Sequence, residues 1–323
     1  MKNPKNIAVL IFAGGQSLNT CGAAAVFAAA NDVLEQTVYS VHILSPRGGA
    51  VGTMSPIQIL SDPVSSIAPD TFDTVVLSSG GTDQVREAFE LDDVRQWVTQ
   101  AASQCRRIAS TSFPCTLALA RLGLLDGRRI TTHWAVAPTL AQRCPEASVN
   151  PDVLYVEDGA IWTGAGVASA IDMSLAMVSR DLGSYVGNQI AKRFVLTGQR
   201  RGDSAQVSAA LAVQEKLDPD FSGLITWMRA HLPEPLDVAT LASQAAMSVR
   251  HFQREFRART GDSPARFLER LRLEHGYALL SAGLPLKSIA TQCGYSNAQQ
   301  FAKAFARRFG TTPSQVRATS AEA

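Results

Sequence analysis

The chain has 323 residues, more than one average domain and about right for two, since domains usually run about 100–200 residues. Apolar residues make up 46% and charged residues 18%, which excludes a disordered or collagen-like chain. The net charge of +2 conceals a split: Met1 to Asp218 carries 17 Lys/Arg against 20 Asp/Glu, a balance of −3, and Pro219 to Ala323 carries 13 against 8, a balance of +5, so only the second part suits a polyanion such as nucleic acid.

In chain order, Lys2 and Lys5 precede an apolar run, Ile7 to Ala13, which stops at Gly14-Gly15-Gln16. That run is too short for an export signal and reads as a buried first strand. Further strands are expected at Val38 to Leu44, Thr74 to Ser78, Arg107 to Ser110 and Ala160 to Thr163. Near-continuous apolar strands bounded by Gly and Ser belong to parallel sheets covered on both faces. Helices are expected between them at Ala23 to Ala30, Val85 to Gln104, Cys115 to Leu122 and Ile171 to Gly183. The alternation predicts an open, mostly parallel α/β sandwich of flavodoxin-like type, with ligands bound beyond the carboxyl ends of its strands.

Three strand ends are therefore candidates for chemistry: Phe12 to Asn19, Leu77 to Thr82 and Ala109 to Cys115. Gly80-Gly81 would let backbone N–H groups approach a bound group closely. The third resembles a nucleophile elbow, a turn that exposes a side chain at a helix start. The five cysteines, Cys21, Cys105, Cys115, Cys144 and Cys293, are odd in number and lack metal-ligand spacing. They predict reduced thiols in a cytoplasm, with no disulfide and no structural zinc; no other metal and no cofactor is expected. Cys115 reads as a small buried hydrophobe rather than a redox switch. No apolar stretch reaches the roughly 18 residues a membrane span needs.

Ile108-Ala-Ser-Thr-Ser112, followed by a helix and by Gly123-Leu-Leu-Asp-Gly-Arg-Arg-Ile-Thr-Thr-His133-Trp134, resembles the sensor half of GlxA-type transcriptional regulators. These belong to the PfpI/ThiJ, or class I glutamine-amidotransferase-like, superfamily. Thr163-Gly-Ala-Gly166 with Ala170-Ile-Asp172, and Gln199-Arg-Arg-Gly202 with Ala205-Gln206, extend the similarity to about residue 206.

Two departures bear on activity. Ser112 stands where this family usually has its elbow cysteine, and Asn19 stands where enzymatic relatives carry an acidic residue in a Leu-Asp-x-x-Gly pattern. Asn19 cannot serve as a general base. Ser112 with His133 needs a third, orienting group that spacing does not supply, and Pro114 removes one N–H from the following helix. The expectation is a ligand pocket with no catalytic residues, formed by Asn19, Gly81, Ser112, Phe113 and His133. The alternative is a hydrolase or hydratase of the PfpI/ThiJ type carrying a DNA-binding appendage.

Beyond Pro219 the chain is helical in period, and it repeats itself. Leu241-Ala242-Ser-Gln-Ala-Ala-Met-Ser248 matches Ile289-Ala290-Thr-Gln-Cys-Gly-Tyr-Ser296 at an offset of 48, and Phe252, Phe256, Gly261 and Pro264 match Phe301, Phe305, Gly310 and Pro313 at an offset of 49. Each copy predicts a helix, a tight turn and a second helix. Asp237, Ser248 and Ser296 are the expected caps. Val249, Phe252 and Phe256 in one copy, and Ala298, Phe301, Phe305 and Phe309 in the other, should face inward. Arg250, His251, Gln253, Arg254 and Arg257, with Asn297, Gln299, Gln300, Lys303 and Arg307, should face out. Arg and Lys pair with guanine or phosphate, and Asn and Gln with adenine.

This part, about Phe221 to Arg317, resembles the AraC/XylS family, whose signature is approached by Gly294-Tyr-Ser-Asn-Ala-Gln-Gln-Phe301 through Phe309-Gly-Thr-Thr-Pro313. The resemblance implies two helix-turn-helix motifs, about 238–259 and 286–309, joined by a helix from Pro264 to Ser281 and entering major-groove segments about one turn apart, ~34 Å. The expected organisation is a sensor and dimerisation domain at 1–205, a linker at 206–220 and a DNA-binding domain at 221–319. The implied protein is a cytoplasmic transcription activator of a catabolic or nitrogen-metabolism operon. It would bind double-stranded promoter DNA as a homodimer, contact RNA polymerase, and respond to a small effector such as an amino acid or quaternary amine.

Overall fold

The computed structural model describes residues 3–207, 219–280 and 284–322. Most of the expected linker, 208–218, and Ser281 lie outside the described residues. The chain divides into two compact units, Met1–Phe194 with Gln199–Gln206, and Val195–Gly198 with Val207–Ala323.

In the first unit the strands are β1 (Lys5–Leu10), β2 (Tyr39–Ser45), β3 (Gly49–Gly52), β4 (Gln58–Pro63), β5 (Thr74–Leu77), β6 (Arg107–Ser110), β7 (Arg129–Ile130), β8 (Ser148–Val149), β9 (Tyr155–Asp158) and β10 (Ile161–Gly164). Eight of them form one sheet in the order β3-β4-β2-β1-β5-β6-β10-β9. Pairing is parallel from β4 through β10, with antiparallel strands only at the two edges. The helices are α1 (Ser17–Leu34), α2 (Thr82–Glu90), α3 (Asp92–Gln104), α4 (Phe113–Arg121), α5 (Ala137–Arg143), α6 (Ser169–Leu182) and α7 (Ser184–Arg193).

The central strands are the apolar runs seen in the sequence: Ile7, Ala8, Val9 and Leu10 are fully buried, as are Val75, Val76 and Leu77. Several features differ from the sequence reading. β7, β8, β9, α5 and α7 were not expected, nor was the β3–β4 hairpin, because β4 alternates exposed and half-buried residues and never forms an apolar run. The helix expected over Val85 to Gln104 is two helices, because Leu91 takes an extended backbone and Asp92 and Asp93 open α3, where carboxylates favour a helix start. α1 begins at Ser17 rather than Ala23, so Asn19 lies in its first turn.

At the amino ends of the strands sits a buried ionic cluster. Asp181, at the end of α6, accepts from Arg107 Nη2 at 2.6 Å, from Arg106 Nη1 at 2.7 Å and from the Tyr39 hydroxyl at 2.8 Å. Arg106 also holds Asp73, and Lys5 approaches Asp181 to 3.6 Å.

The second unit is helical: α8 (Pro219–Ala230), α9 (Val238–Gln244), α10 (Val249–Thr260), α11 (Pro264–Leu280), α12 (Leu286–Gln292), α13 (Ala298–Phe309) and α14 (Pro313–Glu322). Two aromatic cores hold it. Phe221, Ile225, Leu241, Phe252, Phe256 and Phe267 form one, and Ile289, Cys293, Phe301, Phe305 and Val316 form the other. α11 serves both, giving Leu271 to the first and Leu273 and Leu280 to the second. No helix among the described residues is long and apolar enough to cross a membrane.

Candidate nucleic-acid interface and ligand crevice

In the second unit each motif is a short helix, a turn with a left-handed residue and a longer helix. Asp237 Oδ1 accepts from Thr240 N at 2.7 Å and caps α9. Its carboxyl is held below the usual range chiefly by that backbone bond. Ser248 Oγ accepts from His251 N at 3.4 Å and caps α10. The second copy differs from expectation: Asn297, not Ser296, caps α13 by accepting from Gln300 N at 2.8 Å, and Ser296 Oγ bonds Gln300 Oε1 at 2.7 Å. The residue gained between the copies therefore lies in the turn, and α10 and α13 are both 12 residues long.

Phe252, Phe256, Phe301 and Phe305 point inward as their spacing requires, and Phe309 is half-buried. Val249, expected inside, is 44% exposed. All ten residues expected to face out do so: Arg250, His251, Gln253, Arg254 and Arg257 on α10, and Asn297, Gln299, Gln300, Lys303 and Arg307 at or on α13. They are not chemically equivalent. Arg254 pairs with Glu255 at 3.2 Å and His251 lies 3.6 Å from the same carboxylate. Arg307 pairs with Glu269 of α11 at 2.6 Å. Asn297 and Gln300 are occupied at the cap. Arg250, Arg257, Gln253, Gln299 and Lys303 are exposed and make no side-chain hydrogen bond or ion pair among the described residues.

In the first unit the order of strands reverses direction between β1 and β5, where α/β sheets open a crevice. A hydroxyl and amide network lies at that point of the sheet. Asn19 Nδ2 donates to Thr111 O at 3.0 Å, the Thr20 and Ser78 hydroxyls meet at 2.9 Å, and Thr111 Oγ1 donates to Ser78 O. Gln16 N donates to Ser79 Oγ at 2.7 Å. Gly15 is packed so closely on this loop that a Cβ would lie 2.6 Å from Gly80 N.

Of the five residues expected to form the pocket, Asn19 and Ser112 share one property. Asn19 Oδ1 and Ser112 Oγ are buried without a hydrogen-bond partner among the described residues, and so is Thr132 Oγ1. Such orphaned atoms each cost about 1–3 kcal/mol and are where a bound polar group would restore a bond. Ser112 has an ordinary extended backbone, φ −150°, at the start of α4, unlike a strained elbow. Phe113 packs half-buried on the core, and Gly81 donates to Ala13 O at 2.8 Å while opening α2. His133 is exposed, and its Nδ1 accepts from Ala135 N at 3.3 Å. The Ser112 and His133 side chains thus make no hydrogen bond to each other. Cys115 is fully buried, and burial pushes its thiol up to about 12.

A cavity of about 460 Å³ opens beyond the carboxyl ends of β1 and β2, lined by Phe12, Arg47, Val51, Gln84 and Glu87 among others. Asn19, Gly81, Ser112, Phe113 and His133 do not line it. Sequence reasoning also passed over the work of Gln206. Its Nε2 donates to Thr132 O at 2.8 Å and Val153 O at 3.0 Å, and its Oε1 accepts from Trp134 N at 2.9 Å. The signal was present in the Ala205-Gln206 pair. Arg200 pairs with the buried Asp172 at 2.6 Å, joining two further segments that carry the resemblance.

Residues 5–180 match the model of the DJ-1/PfpI family, and residues 241–319 match that of a helix-turn-helix domain. The HTH-type transcriptional regulator GlxA of Rhizobium meliloti is 27% identical over 99% of this chain and 97% of that protein. The HTH-type transcriptional regulator GbdR of Pseudomonas aeruginosa is 25% identical over 98% of this chain and 85% of that protein. Among solved structures, Drosophila melanogaster DJ-1beta superposes with a TM-score of 0.52 at 25% identity, covering 60% of this chain and 99% of its own. A THiJ/PfpI family protein from Pseudomonas syringae superposes with a TM-score of 0.54 at 18% identity, covering 75% of this chain and 89% of its own.

Proposed function

Since this chain belongs to the DJ-1/PfpI family and continues into an AraC-type helix-turn-helix domain, it is a DNA-binding transcription regulator, and we propose that its first unit senses a small molecule while its second reads a promoter sequence. The observation that carries the reading is the pair of capped helices, α10 and α13, each anchored by phenylalanines and each presenting cations and amides outward. Those are the groups that contact phosphates and base edges. In this reading Arg250, His251, Gln253, Arg254, Arg257, Gln299, Lys303 and Arg307 face the duplex, and Asn297 and Gln300 act through the cap.

The sensing half is a non-enzymatic binding site. Asn19 supplies an amide where a general base would be needed, and Ser112 has no base beside it. The buried polar atoms left over at Asn19, Ser112 and Thr132 are the groups that a small polar effector, such as an amino acid or quaternary amine, would engage. The protein acts in the cytoplasm as a homodimeric activator that contacts RNA polymerase at a catabolic or nitrogen-metabolism promoter. An effector shifts DNA binding only in so far as it binds one arrangement of the protein more tightly than another.

Selection of random duplex DNA by the purified full chain tests the central reading. A recovered consensus bound far more tightly than its scrambled form at physiological salt is expected. Equal affinity for both would mean sequence-independent binding and would overturn it. Turnover of amides or aldehydes that disappears in Ser112→Ala would instead favour the hydrolase or hydratase.

A further inference from the structure

The two helix-turn-helix motifs are copies, yet their turns differ at one decisive position. Ala246 and Gly294 are equivalent, 48 residues apart, and both adopt a left-handed backbone, with φ 52° and 70°. The first turn accepts an alanine there, exposed to solvent. The second cannot. A Cβ on Gly294 would fall onto the carbonyl oxygen of Leu232 and lie 2.6 Å from Nη2 of Arg272. Backbone cannot yield as a flexible side chain does, so glycine is required by what is packed against the turn, beyond the turn's own geometry.

What is packed there is the segment leading into the other motif and the helix that joins the two. Leu232 and Glu234 lie in the segment between α8 and α9, at the entrance to the first motif, and Leu232 is buried in the first core. Arg272, on α11, donates from Nε to Leu232 O at 3.2 Å and from Nη2 to Glu234 O at 2.7 Å. Its guanidinium therefore ties the first motif's entrance to α11 at the point where the second motif's turn is seated. Burial lowers its pKa from the ordinary arginine value, with Tyr295 and Cys293 of the second turn opposing that shift. Beside it, Gly276 lets α11 approach the second motif so closely that a Cβ would lie 2.5 Å from Phe301 Cε2.

We propose that Arg272, with Gly294, is a positioning residue that fixes α10 and α13 as one rigid reading head, so that the spacing between two DNA half-sites becomes part of the sequence specificity. The inference rests on the reading of this unit as DNA-binding. It adds that discrimination arises at a residue which touches no base. Two rigidly joined readers make the second contact intramolecular, so a fixed spacing enters affinity through effective concentration. A loosened junction lets the readers follow displaced half-sites and weakens the correctly spaced one.

The test uses full-length protein and the duplex it selects from random DNA, with three targets: the selected site, the site with one half scrambled, and the site with one base pair inserted between halves. For the wild type, insertion should weaken binding by about tenfold or more. In Arg272→Ala the selected site should weaken about tenfold, the half-scrambled site should stay within about twofold, and the insertion penalty should shrink towards none. Gly294→Ala should give the same pattern. If Arg272→Ala no longer shows a cooperative thermal transition, Arg272→Lys carries the same comparison. An undiminished insertion penalty, or an equal loss on the intact and half-scrambled sites, would overturn the proposal. Failure of the wild type to enrich any sequence is a separate outcome that removes the DNA-binding reading and the inference with it.

Discussion

Arg107 Nη2 lies 2.6 Å from Asp181 Oδ2, and the two side chains are 4% and 1% exposed. Burial by itself would raise the Asp181 pKa, but hydrogen bonds from Arg106 and Tyr39 and the charge of Arg107 outweigh it and hold the carboxyl below its usual value. A carboxyl depressed in the folded state contributes stability above its unfolded pKa, about 3.9, and loses it as pH falls towards the folded value.

Asp181→Asn should therefore leave Arg107 buried and uncompensated, lowering stability at neutral pH by about 3–5 kcal/mol. Urea unfolding at pH 7 and near pH 3 checks it. The difference between variant and wild type should narrow in acid, and a difference independent of pH would refute the assignment.

The sandwich was legible because β1 and β5 carry the buried apolar runs Ile7–Leu10 and Val75–Leu77, a pattern that few other burials produce. The duplicated motif was legible because its phenylalanines recur at helical spacing. The β3–β4 hairpin was not, since its residues are exposed or only half-buried and form no apolar run. At the candidate sites the sequence identified the outward residues of α10 and α13. It could not reveal that Asn297 had taken over the cap, or that His133 is held by its own turn rather than by Ser112. Arg272 was illegible for a plainer reason: its partners are main-chain carbonyls 40 and 38 residues away, which any sequence would supply.

Thiol chemistry offers a simple check. Cys21 is exposed, and the other four cysteines are buried. Burial also raises the Cys115 and Cys293 thiols to about 12 and Cys105 to about 11. Native protein should release one equivalent of chromophore rapidly with a disulfide reagent at pH 8, and five after denaturation. Rapid labelling of Cys115, mapped by mass spectrometry, would contradict its burial.

Lys303 and Arg307 share the exposed face of α13 but differ in what holds them: Arg307 is paired with Glu269, whereas Lys303 has no ion pair among the described residues. Lys303→Ala should weaken binding to the selected operator and lower the slope of log affinity against log salt by about 0.9, the loss of one phosphate contact. Arg307→Ala should change the slope less, because Glu269 already offsets its charge. Titrations at several salt concentrations decide between the two, and unchanged binding in both variants would mean that another face meets DNA.

Gln206 uses both ends of its side-chain amide to pin the segment from Thr131 to Trp134. Each net bond is worth about 0.5–1.5 kcal/mol. Gln206→Ala should accelerate amide exchange at Trp134 at least about tenfold while leaving the β1 amides protected. Exchange by mass spectrometry that is equally fast throughout the first unit would indicate global destabilisation instead.

The sheet ends in two chemically opposite ways. At the amino ends of its strands, Asp181, Arg106, Arg107 and Tyr39 satisfy one another, so a change to any one strands the rest. At the carboxyl ends, Asn19 Oδ1, Ser112 Oγ and Thr132 Oγ1 have no hydrogen-bond partner among the described residues, so polar capacity is left over there even though Asn19 Nδ2 holds Thr111 O at 3.0 Å. A scaffold divided in this way can change what it recognises while keeping its shape.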